Sequence, residues 1–212
     1  TFIFAPYFTS HVVGNAIRGQ ELWGYGQAAA GLCIALLSPV MGAMADTSGR
    51  RKPWILGFQA LCVVACAGLW LALPGAADRD LMLILGLIVL ASVGAEFATV
   101  FNNAMLPGLV SRARLGRLSG YAWALGYLGG LVSLGFVLGG FSLPEVPLFG
   151  LDKASHEHDR MVGPLSAIWM VIFIVPLLIF TPDAPPSGLS PAKAARQGLR
   201  QLGGTLKSLR HY

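Results

Sequence analysis

Charge is what this sequence has least of: Asp, Glu, Lys and Arg together supply 12% of 212 residues. A water-facing surface needs about twice that share, so an ordinary soluble domain is excluded. Metal-binding cysteine patterns are absent too. Cys33, Cys62 and Cys66 lie within apolar runs without a CxxC pair, and they read as small buried hydrophobes. No nucleophile constellation, phosphate loop or zinc motif occurs, so no enzyme, cofactor or metal is expected. No basic leader with a cleavage site precedes the first apolar run, which argues against a signal peptide.

What fills the chain instead is apolar: 55% of residues are hydrophobic and the mean hydropathy is +0.65. Runs of about 20 nearly charge-free residues recur, the length at which a helix rising 1.5 Å per residue crosses a hydrocarbon core about 30 Å thick. Full spans are expected over 22–44, 54–73, 81–106, 118–141 and 164–180. The run over 1–13 is too short to cross and reads as a truncated first span. The expected class is therefore an all-α membrane protein with a six-span bundle over 1–181, followed by a linker over 182–212.

The joints between spans alternate in charge. One set holds Arg50, Arg51, Lys52, Arg112, Arg114, Arg117 and the basic residues of the tail; the other mixes Arg18, Arg79, Lys153 and Arg160 with seven acids. Lys and Arg gather on the cytoplasmic side, which puts both termini of the segment there. The net charge of +5 is thus an orientation signal and gives no reason to expect a nucleic-acid partner. Pro182, Pro185 and Pro186 close the last span. Beyond Pro191, leucines spaced by three and four among basic residues predict an amphipathic helix on the anionic leaflet, against which Gly203 and Gly204 favour a flexible linker.

The joint "GAMADTSGRRKP", 42–53, carries more than topology anchors. Gly42 allows close helix approach, Gly49 supplies a turn position without a Cβ, and Asp46 is placed to accept hydrogen bonds from a guanidinium or a helix N-terminus. Gly42, Asp46, Gly49, Arg50 and Arg51 resemble the G-x-x-x-D-x-x-G-R-[RK] signature of the major facilitator superfamily, at its usual place between spans two and three. That resemblance implies a conformational latch tying an N-terminal six-helix half to a missing C-terminal one, and alternating access by rocking of the halves. The stretches "TFIFAPYFTSHVVG", "LWGYGQAAAGLCIALLSPVMGAMADTSGRRKPW", "EFATVFNNAMLPGLV" and "GRLSGYAWALGYLGG" are similar to the vacuole effluxer-like branch, the autophagy-related amino-acid effluxers. The branch implies efflux of a small polar solute, amino acids foremost. Its many bacterial relatives make a bacterial inner membrane the expected location.

Glu96 is the one carboxylate deep within a span. At a helix centre a charged acid costs about 2.5–3.5 kcal/mol, so it should face the bundle or a wet cavity, as a substrate or proton site or as a bond to a neighbouring span. Asn102 and Asn103 follow on the same helix, where interhelical bonding competes with a transport role. By resemblance Asn103 and Pro107 carry the branch's pattern, while Asn102 replaces an aromatic. Tyr7 and His11 belong to a polar run after Pro6, with His11 near the outer surface as a hydrated structural histidine or a gate. Gly116 and Gly120, Gly126 and Gly130, and Gly135 and Gly139 form a G-x-x-x-G ladder in span five that predicts close helix packing. "HEHD", 156–159, reads as a solvated loop and not a metal site.

The resemblance does not extend to proton coupling. The arginine that many proton-coupled superfamily members carry in span four is absent, as is the Gly-Pro pair of exporters in span five. The contrasting reading is a non-transporting sensor or scaffold built on the same bundle.

Overall fold

A computed structural model describes residues 2–47 and 49–185, with Lys193, Arg196 and Arg200. The tail helix expected beyond Pro191 falls largely outside the described residues. Among the described residues there is no strand.

The short first run forms α1 (Phe4–Tyr7), which continues through a wider π turn over Phe8–Val12. Four longer helices and one short one follow: α2 (Ala16–Thr47), α3 (Lys52–Gly68), α4 (Asp78–Leu109), α5 (Leu115–Val137) and α6 (Glu157–Arg160). The last is α7 (Val162–Phe180). With flanking turns, 5 segments among the described residues are long and apolar enough to cross a membrane. α4 starts at Asp78, ahead of its charge-free run, because Asp78 and Asp80 suit a helix N-terminus and do not end the helix there.

Local chemistry sets the ends. Asn15 Oδ1 accepts hydrogen bonds from the backbone N–H groups of Ile17 and Arg18, both at 3.1 Å, and so caps α2. Gly49 has φ +73, a conformation that disfavours any side chain, as the turn chemistry predicts. α7 stops at Phe180, where Thr181 turns extended ahead of Pro182.

α3 is the hub, lying against both α4 and α7, while α4 also packs on α2. Lipid tails are as apolar as leucine, so close van der Waals fit holds such helices together. Three glycines supply that fit. A Cβ on Gly94 of α4 would lie 2.8 Å from the Phe58 carbonyl oxygen of α3, and one on Gly163 of α7 would collide with the Cys66 carbonyl. One on Gly19 of α2 would meet the Thr9 backbone at 2.5 Å. Cys62 and Cys66, one turn apart on α3, are the small residues beneath the first two.

The span-five ladder behaves differently. At Gly126, Gly130, Gly135 and Gly139 an added Cβ meets nothing within 4 Å, as at Gly42. The expected close approach is therefore not made by the described residues: α5 leaves most of its surface, including Trp123, Leu125, Tyr127 and Leu131, exposed.

Candidate functional site

Glu96 sits near the middle of α4 with its side chain on the exposed surface of the bundle and not in its core. Phe97 and Phe101 take the buried side of the helix, packing with Phe58 and Trp54. Asn103, seven residues on, returns to nearly the same side as Glu96 and is likewise exposed. Asn102 is turned away from it. With Gln59, Thr99, Trp169 and Phe173 it lines a cavity of about 340 Å³ between α3, α4 and α7. The structure thus separates two asparagines that are adjacent in sequence. Gln59 and Thr99 were not singled out from sequence because a lone amide or hydroxyl in a span gives no periodic signal.

Tyr7 is buried and its hydroxyl donates to the Ala72 carbonyl, tying the first span to the end of the third. His11 is exposed beside it, their rings stacked at 6.1 Å. The backbone carbonyls of His11 and Val12 accept from Gly75 and Ala76, which closes this end of the bundle. Neither residue lines the cavity that Asn102 faces.

At the opposite, basic end the acceptor role expected of Asp46 is not filled within the described residues. Asp46 lies exposed in the last turn of α2, and no ion pair or hydrogen bond reaches its carboxylate among the described residues. The acid at the N-terminus of α3 is Asp183, which follows α7. Its Oδ1 accepts from the Arg51 N–H at 2.9 Å and its Oδ2 from the Lys52 N–H at 3.2 Å. Lys52 Nζ in return donates to the Leu178 carbonyl at 2.7 Å, in the last turn of α7. Each helix end thereby satisfies orphan groups of the other. Nothing local marks Asp183 for this, since the partners are 132 and 131 residues apart.

Asp183→Ala is expected to lower stability by about 1–2 kcal/mol, the usual worth of a capping carboxylate. Asp183→Asn, which keeps one acceptor oxygen, should lose less. Thermal unfolding in detergent reads the difference, and equal melting of all three proteins would show that the cap contributes nothing.

The "HEHD" segment is also corrected. From Glu157 on it is helical as α6, and the side chains of His158 and Asp159 are only 13% and 18% exposed. The cause is Arg160. Its guanidinium donates to the Trp70 carbonyl from two nitrogens, at 2.9 and 2.7 Å, and lies 4.4 Å over the Trp70 ring. A buried cation held this way draws the whole segment onto the end of α3.

An all-helical membrane bundle with an acid at mid-span and a basic turn between its second and third spans is the half-bundle class of a major-facilitator fold. A family model described as "Vacuole effluxer Atg22 like" matches residues 11–212, and the chain belongs to that family. A Bacillus subtilis (strain 168) protein described as an uncharacterized MFS-type transporter, YxiO, is 22% identical over 215 residues, covering 100% of this chain and 49% of that protein. The chain thus spans about half the length of the curated relative it matches. No solved structure matches it.

Proposed function

We propose that this chain is the N-terminal half of a secondary transporter that exports a small polar solute, amino acids foremost, by rocking against a second six-helix half. The observation that carries the proposal is Glu96. A mid-span carboxylate left on the bundle surface is costly against lipid, and a second bundle would place it at a hydrated midplane interface. Asp46, Arg50 and the small-residue face of α5 suit the same arrangement, since each is open on this half and would meet the other. The basic end then faces the cytoplasm and the His156 end faces outward, in a bacterial inner membrane.

The test is solute flux. The full-length protein, purified and reconstituted into vesicles, is expected to show saturable efflux of radiolabelled amino acids from a preloaded panel, abolished when the vesicles are made leaky. Specific binding of a solute without any saturable flux would favour the sensor reading instead.

A further inference from the structure

Two histidines and an aspartate converge at the end of the bundle opposite the basic turn. His156 Nδ1 lies 3.0 Å and His158 Nε2 3.3 Å from the same oxygen, Asp159 Oδ2. One potential ligand atom from each of these residues lies within 4.8 Å of the other two. We propose that His156, His158 and Asp159 form a binding site for a divalent transition-metal ion of the zinc type, independently of any transport role.

The chemistry of the donors selects the ion. Two imidazole nitrogens with one carboxylate suit a borderline cation such as Zn²⁺ and not the hard ions Ca²⁺ and Mg²⁺, which take oxygen. Ligand atoms at about 2.0–2.1 Å from a tetrahedral zinc are about 3.3 Å from one another, close to the two spacings to Asp159 Oδ2. Three protein ligands leave a fourth position for water.

The surroundings hold the donors in place. His156 has φ 55, a left-handed conformation uncommon outside glycine, which histidine adopts more readily than most residues. Its ring lies 4.0 Å from His11 and 5.6 Å from Tyr7, centroid to centroid, so the first span stacks against it. Ahead of it Asp152 organises the loop. The backbone N–H of Ala154 and the hydroxyl and N–H of Ser155 hold its carboxyl below the usual range, and its own N–H donates to Glu157 Oε2 at 2.9 Å.

Nearby cations are engaged elsewhere. Lys153 Nζ donates to the Ser142 carbonyl at 3.0 Å, and Arg160 is committed to Trp70.

Zinc titration tests the proposal on the full chain, purified without a polyhistidine tag and stripped of metal, against a chromogenic competing chelator near neutral pH. One equivalent of Zn²⁺ per chain is expected. His158→Ala and Asp159→Ala should each weaken it about tenfold or more, while Arg112→Ala, in the basic joint between α4 and α5, should leave it unchanged. Because loop variants can misfold, Co²⁺ is added to the unaltered protein as well, where visible bands of a nitrogen and oxygen ligand set should appear and vanish on adding Zn²⁺. Absence of both the equivalent and the bands would overturn the site and leave a cluster that binds only protons.

Discussion

Gly94→Val is expected to prevent most of the protein from folding. The Cβ alone would sit 2.8 Å from the Phe58 carbonyl oxygen, 3.0 Å from the Cys62 nitrogen and 3.1 Å from its Cβ. The first two are backbone atoms of α3, which cannot rotate aside as a side-chain tip can. α3 and α4 would have to separate, and that contact is the most extensive in the bundle. Overpacking alone costs about 1–3 kcal/mol, and valine adds two methyls and the loss of neighbouring dispersion contacts. Against a total stability of about 5–15 kcal/mol, such a loss should appear as low yield of monodisperse protein and a sharply lowered melting temperature.

The control is Gly86→Ala on the same helix, where a Cβ meets nothing within 4 Å. It should melt at or slightly above the parent, because alanine gains up to about 1 kcal/mol in helix propensity. A Gly94→Val protein as stable as its control would show that α3 and α4 do not approach this closely.

Glu96→Gln is expected to cut solute flux about tenfold to a hundredfold while leaving expression and melting unchanged. The substitution conserves shape and removes only the charge. No described residue bonds the carboxylate, so no internal partner is left unpaired when it goes. A charge-assisted contact to a substrate amine is worth about 1.5–3 kcal/mol, and that sets the size of the loss. Flux in reconstituted vesicles and thermal unfolding must be read together. Lowered flux with unaltered melting fits a transport role, whereas lowered melting would make Glu96 a structural bond between the halves. Parent-like flux would remove it from the mechanism.

Asn102 and Asn103 invite the same pair of measurements and separate by position. Asn103 shares the open side of α4 with Glu96, and Asn102 faces the cavity towards α7.

Much of this protein was legible along the chain. Hydrophobic run lengths identified the five long apolar helices of the described residues, because bilayer thickness converts directly into residue count. Proline and glycine marked the stop after Phe180 and the left-handed turn at Gly49, because those constraints are local to a residue's own backbone. Other features depended on what lies opposite. At the regular glycine ladder of α5 an added Cβ meets nothing within 4 Å among the described residues, while isolated Gly19, Gly94 and Gly163 carry tight backbone contacts. Packing is a property of two surfaces, and spacing along one helix reports only one of them. The same reason hid Asp183 as the cap of α3, Arg160 as the clamp on Trp70, and the convergence of His156 and His158 on Asp159. The sequence by itself determined the solvent, the five long apolar helices and the chemical types available at each end. Tertiary structure alone decided which of them meet, because a charge or a small side chain acts over a few ångströms through space, whatever its distance along the chain.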